Sequence, residues 1–127
     1  MEEKIMAWKW EQAKGRLLDP NNNFVCLGYS GFEQGKNNPQ MQNVRDVGPL
    51  PCGVWQIGEL VPYGHQLGPN VLPLSPQPGT DTFGRDGFFI HGDSIEHPGD
   101  GSHGCIVLPP WARMDIARSM DKLLVVV

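Results

Sequence analysis

The segment His91-Gly-Asp-Ser-Ile-Glu-His-Pro-Gly-Asp-Gly-Ser-His-Gly-Cys105 gathers proton-exchanging and nucleophilic side chains among glycines, a mixture no apolar core would select. A thiol attacks an amide as the thiolate, so it needs a base beside it and donors for the charge that develops on the carbonyl oxygen. His91 suits the base, because imidazole exchanges protons near neutral pH. The glycines ahead of Cys105 let the backbone approach a substrate, and the N–H groups of Gly104 and Cys105 are natural oxyanion donors. Two groups can orient His91: the Asp93 carboxylate and the Gly92 carbonyl, with the carbonyl favoured. Ser102 and Gly104 shape the turn, while His103 is divided between oxyanion-side support and a solvent-facing role. His91, His97, His103 and Cys105 are also zinc-ligand types, but their intervals follow no usual zinc spacing, so neither metal nor other cofactor is expected. His65 and His97 lack a motif and read as surface or structural residues.

The elements that must position these groups are mainly extended. From Ile5 to Tyr29 the alternation of Met6, Trp8 and Trp10 and the run Phe24–Leu27 predict two or three antiparallel strands, with Lys14-Gly15 and Asp19-Pro-Asn-Asn-Asn23 as turns. Trp8 and Trp10 read as core. Ser30 to Pro51 is a long Gly- and Pro-bearing connection of the kind that forms lids or binding loops, with one helical turn capped by Asn38 and begun by Pro39. Gly53–Leu60 and Val71–Leu74 predict strands, separated by Pro62-Tyr-Gly-His65 and Gly68-Pro-Asn. After the turn-rich Ser75–Gly87, Phe88-Phe89-Ile90 is a short buried strand delivering His91 at its end. Ile106–Leu108 is extended, a helix starts at Pro109-Pro110 with Trp111, Ile116 and Met120 at helical spacings, and Lys122–Val127 closes the sheet. No composition shift divides residues 1–127, so a single domain is expected.

At 127 residues the chain is long enough to bury roughly two thirds of its unfolded surface. Its 16 glycines and 12 prolines far exceed the ordinary share of about 12% without forming a repeat, which favours turns over helices. A net charge of -4 with scattered Lys and Arg gives no attraction to a phosphate backbone, so nucleic acid is excluded as a partner. Cys26, Cys52 and Cys105 cannot all pair, and none lies in a CxxC spacing. Cys26 and Cys52 read as packing residues. Met-Glu-Glu-Lys and the short apolar run behind it lack the form of a secretory signal, and the terminal Leu-Leu-Val-Val-Val is too short to span a membrane. The expectation is synthesis as a soluble cytoplasmic chain, with any extracytoplasmic work needing another route.

The pair His91-Gly92 and Ser102-His-Gly-Cys-Ile106 resembles the active-site signature of the YkuD-type L,D-transpeptidases. Gly28-Tyr-Ser-Gly31, Gly35-Lys-Asn-Asn-Pro39, Met41-Gln42, Gly48-Pro-Leu-Pro51 and Phe83-Gly-Arg-Asp-Gly87 extend the likeness to the type VI secretion L,D-transpeptidase effectors. The resemblance implies a mainly β, sandwich- or barrel-like catalytic domain with one or two short helices, and the catalytic pair Cys105 and His91. It implies attack on peptidoglycan tetrapeptide stems at the bond to terminal D-alanine through a thioester on Cys105. Water as acceptor gives carboxypeptidase activity, and an amine, such as a free D-amino acid, gives exchange or cross-linking. It further implies delivery by type VI secretion components into the periplasm of target bacteria, and an immunity protein in the producer. The broader signature has Arg or Asn two residues after the cysteine, where this chain has Val107; Arg113 is a candidate to compensate, and Asn37 and Asn38 are further candidates for holding substrate.

Two readings of other classes compete. One is a binding or decoy module of the same fold that holds peptidoglycan or a partner protein. The other is a papain-like hydrolase of another cell-wall amide, disfavoured because those enzymes place cysteine before histidine.

Overall fold

A computed structural model describes residues 6–127; Ile5 and the opening residues considered above as a leader lie outside them. Ten strands build the sheet: β1 (Trp8–Glu11), β2 (Arg16–Leu18), β3 (Phe24–Leu27), β4 (Tyr29–Ser30), β5 (Gly53–Ile57), β6 (Val61–Tyr63), β7 (Pro69–Pro76), β8 (Phe89–His91), β9 (Ile106–Val107) and β10 (Leu123–Val126). The helix α1 (Pro110–Arg118) lies between β9 and β10, and short 3-10 turns punctuate the loops. Among the described residues no helix is long and apolar enough to cross a membrane.

The local signals act where expected. Gly15 takes the left-handed conformation at φ 62° that ends the first turn, and the Asp19 carboxylate accepts from Asn21 and Asn23 N–H, both at 2.9 Å, closing the loop between β2 and β3. Asn38 caps the single turn Pro39–Met41 by accepting from Gln40 N–H.

The strand order is β3-β2-β1-β10-β5-β7-β8-β9-β4, with β6 added on β7. Its two ends, β3 and β4, are consecutive in the chain and separated by Gly28 alone, so the sheet curls until its edges meet at one residue. A Cβ at Gly28 would lie 2.3 Å from the Val107 carbonyl oxygen and 2.7 Å from Leu108 Cδ2. Gly28→Ala is therefore expected to lose about 1–3 kcal/mol of stability or more, because the clash is with backbone that cannot step aside. Urea titration measures it, and an unchanged midpoint would refute the near-closure.

Inside the curl lies a core that includes Trp10, Leu17, Leu50, Trp55, Leu72, Ile90, Ile106, Ile116 and Leu124, all under 1% exposed. Trp8 and Trp10 belong to it as read from the alternation. Their indole N–H groups are satisfied by the Asp121 carbonyl and the Gln12 side chain, as a buried tryptophan requires.

Three expectations need correction. Pro62 and Tyr63, read as part of the separator Pro62–His65, belong to the strand Val61–Tyr63, and β7 begins at Pro69 rather than Val71, because β5, β6 and β8 all pair with β7. The closing strand is central, held between β1, which it joins in parallel, and β5. Of the three spaced residues near the helix, Ile116 is buried, whereas Trp111 is 53% exposed and Met120, beyond the helix end, 97%. The inward face uses Ala112, Arg113 and Ile116 instead.

Candidate active site

β8 and β9 run in parallel with Ile90 opposite Ile106 and His91 opposite Val107. Both isoleucines are fully buried, so this pair is anchored in the core, with His91 also buried at the end of β8 and Cys105 half-buried just ahead of β9. Cys105 directly precedes β9, two residues before the partner of His91, an offset of roughly 7 Å along the strand direction.

The turn that presents Cys105 is held by buried hydroxyls. Ser102 Oγ accepts from Gly31 N–H at 2.9 Å and from Gly104 N–H at 3.1 Å, and donates to the Cys105 carbonyl. Ser30 Oγ donates to the Gly104 carbonyl at 3.0 Å and accepts from Leu50 N–H at 2.8 Å. Arg85, 6% exposed, donates to the carbonyls of Gln42, Gly48, Pro49 and His103, stapling the long loop to this turn. Gly104 has φ 141°, and a Cβ there would meet Arg85 Nη2 at 2.6 Å, so both backbone shape and space require glycine. His103 Nδ1 donates to the Asp46 carbonyl at 2.9 Å, and the ring packs on Phe32, the ring centroids 4.9 Å apart.

Cys105 lines a cavity of about 140 Å³ with Arg45, Arg85, Asp86, Phe88 and His103. Its Sγ lies 3.8 Å from the Gly87 carbonyl. Burial pushes the thiol up to about 11, against the opposing pull of the Phe89 N–H and the Arg85 guanidinium. The resting group at neutral pH is thus the thiol, and attack needs a base at the moment of reaction.

His91, 3% exposed, lines a larger cavity of about 870 Å³ with Tyr29, Gly92, Asp93, Glu96, Asp100 and Arg113 among its walls. Nδ1 lies 2.7 Å from the Gly92 carbonyl. That contact assigns the proton to Nδ1 and leaves Nε2 with a free lone pair. Burial lowers the imidazole below its ordinary value; the Gly92 carbonyl and Asp93 raise it, and Arg113 lowers it further. The resting imidazole is neutral, the form a base must have. Asp93 is not its partner: its carboxylate accepts from Tyr29 OH, Ser94 N–H and Gly99 N–H, organising the 93–101 loop. Burial pushes the Asp93 carboxyl up, but those bonds and Lys36 hold it below the usual carboxylate range.

The sequence predicts His91 as the base beside the Cys105 thiol. The structure sets them on neighbouring strands but turns them into separate cavities, with no hydrogen bond between imidazole and sulfur. Asn37 and Asn38 line neither cavity. Asn37 accepts from Ser30 N–H at 3.0 Å and Asn38 caps its turn, so both shape the loop. Gly104 N–H, read as an oxyanion donor, is engaged by Ser102. Among the described residues no group of three or more His, Cys, Asp or Glu is placed to hold a metal, and Cys26, Cys52 and Cys105 are all free thiols. Ser30, Tyr29 and Arg85 escaped the sequence reading as site residues. The available signal for Arg85 was a cation between glycines just ahead of a buried apolar strand.

A search of curated proteins gave no match. Among solved structures, the chain is similar to the C442S mutant of Enterococcus faecium L,D-transpeptidase, at 16% identity and TM-score 0.57, over 96% of this chain and 49% of that one. It is also similar to the Ldtfm–avibactam carbamoyl enzyme, at 16% identity and TM-score 0.59, over 98% of this chain and 49% of that one. The chain spans about half the length of each of these structures, and the likeness is one of fold: a mainly β, near-barrel sheet with one helix. The family model described as the Tlde1 domain matches residues 25–124, which hold both halves of the His-Gly and Ser-His-Gly-Cys pattern. The chain therefore belongs to the Tlde1 domain family, the type VI secretion L,D-transpeptidase effectors, and has the L,D-transpeptidase fold.

Proposed function

We infer that this chain acts on peptidoglycan tetrapeptide stems, with Cys105 as nucleophile and His91 as base, at the bond joining the third residue to terminal D-alanine. The observation that supports this reading is a neutral, Nδ1-protonated imidazole on β8 and a neutral thiol just ahead of β9, the strand that pairs with it. Cys105 Sγ bonds to the scissile carbonyl carbon as its proton passes to His91 Nε2. The C–N bond then breaks, His91 returns that proton to the leaving amine, D-alanine departs, and a thioester remains. Water or an amine attacks the thioester next, giving up a proton to His91, and the sulfur leaves and is reprotonated. The reaction requires the Cys105 sulfur to leave its contact with the Gly87 carbonyl and come within proton-transfer reach of His91.

In this reading the protein is an antibacterial effector delivered by a type VI system to the periplasm of target cells, with an immunity protein guarding the producer. The test is a muropeptide profile by mass spectrometry, with and without an added D-amino acid. Loss of D-alanine from tetrapeptides marks hydrolysis, and incorporation of the added amino acid marks exchange. An unchanged profile with folded protein refutes both.

A second reading, a module that binds peptidoglycan or a partner without turnover, draws support from the separate cavities of His91 and Cys105. It expects the biological effect to survive Cys105→Ala.

A further inference from the structure

Arg113 is a buried charge whose guanidinium is only partly matched. It is 4% exposed, and among the described residues it has no carboxylate partner, the one ion pair being Arg16 with Glu11. It is also the fourth residue of α1, near the positive end of the helix, where a cation is electrostatically disfavoured. Burying an unpaired charge is costly, and a structure that retains one has usually left its counter-ion to something that binds.

Half of the guanidinium has a structural use. Nη1 donates to the carbonyls of Pro69 and Asn70 at 2.8 and 2.9 Å, tying α1 to β7. The other edge is unmatched: Nε is buried without an acceptor, and Nη2 makes no hydrogen bond among the described residues. Nη2 stands 2.9 Å from where a Cβ on Gly92 would be, beside the residue that follows His91 and on the wall of the same large cavity. An Nε–Nη2 edge is one of the forks that a carboxylate fits. The acidic side chains across that cavity do not cancel the field. Asp93 is occupied by Tyr29 and backbone N–H groups, and Glu96 and Asp100 are exposed and screened by water.

We propose that the free edge of Arg113 receives the terminal carboxylate of the ligand, fixing a C-terminal D-amino acid as the group that leaves or enters. This deepens the preceding reading and rests on it for the identity of the ligand. His91, Gly92 and Arg113 line the same cavity, so the imidazole that returns a proton to the leaving amine and the guanidinium that holds the carboxylate of the same amino acid face one ligand.

Binding can be measured without turnover, so failure here is distinct from failure of the enzymatic reading. The wild-type chain is titrated with N-acetyl-D-alanine and with N-acetyl-D-alaninamide, which differ only in the charged carboxylate, and followed by NMR. N-acetyl-D-alanine is expected to bind about tenfold or more tightly than the amide and to shift the Gly92 amide and Arg113 Nε–H resonances. Arg113→Gln should bring the ratio towards one, and Arg113→Lys should keep part of it. Equal binding of acid and amide, no binding of the acid, or binding that leaves both resonances unmoved overturns the proposal. The acid-to-amide ratio in wild-type protein decides the matter even where Arg113→Gln does not fold.

Discussion

Cys105→Ala is expected to reduce release or exchange of D-alanine by about 10⁴-fold or more while leaving the fold intact. The side chain is half-buried and lines a small cavity, and its polar contacts are with main chain, the Gly87 carbonyl at 3.8 Å from the sulfur and the Phe89 N–H. The Ser102, Ser30 and Arg85 bonds that hold the turn are made to main chain, so the turn survives loss of the thiol. Intact-protein mass spectrometry during turnover should show a stem-peptide thioester on the wild type and none on the variant. Undiminished turnover by the alanine protein would remove Cys105 from the chemistry. Retained toxicity without turnover would instead favour the binding module.

His91→Ala is the second large effect, expected to slow acylation by about 10²–10⁴-fold near neutral pH. Burial raises the Cys105 thiol to about 11, so almost none is ionised at pH 7 and attack without a base is slow. The imidazole, lowered from 6.5 chiefly by its own burial, stays neutral through the neutral range. Acylation by the wild type should therefore hold level as pH falls through 7 and decline only below the ordinary histidine value. In the variant it should instead rise about tenfold per pH unit towards pH 11, following the free thiolate. Single-turnover rates across pH 5–10 check both limbs, and superimposable profiles would rule out the base. Stability follows the same groups with a definite sign. Below 6.5 the unfolded chain takes up a proton that buried His91 resists, and above 9 it releases thiol protons that folded Cys105 and Cys26 hold to about 11. The melting temperature should fall on both sides of that window.

Much of the local architecture was legible because it depends on neighbours in the chain. Alternation placed Trp8 and Trp10 inward, Asp19 and Gly15 made their turns, and Asn38 capped its own. The His-Gly and Ser-His-Gly-Cys pattern marked the site for the same reason: a run of polar, reactive and glycine residues beside an apolar strand is unfavourable anywhere else. What escaped depended on residues distant in sequence. Arg85 has no signature as a staple, since its partners are carbonyls of Gln42, Gly48, Pro49 and His103, brought together only when the long loop folds over the turn. Asn37 and Asn38 were candidates for holding substrate, but their side-chain oxygens accept from the backbone N–H groups of Ser30 and Gln40 in the folded loop.

The sequence alone determined a β-rich fold and the strand that carries His91, and it singled out the two halves of the proposed thiol–imidazole site, because periodicity and residue chemistry are local properties. Tertiary structure alone decided that the sheet's edges meet at Gly28, that the last strand enters its middle, and that His91 and Cys105 rest in separate cavities. The physical reason is that strand pairing, burial of charge and the direction of a side chain are settled by contacts across the fold, and such contacts are satisfied jointly rather than residue by residue.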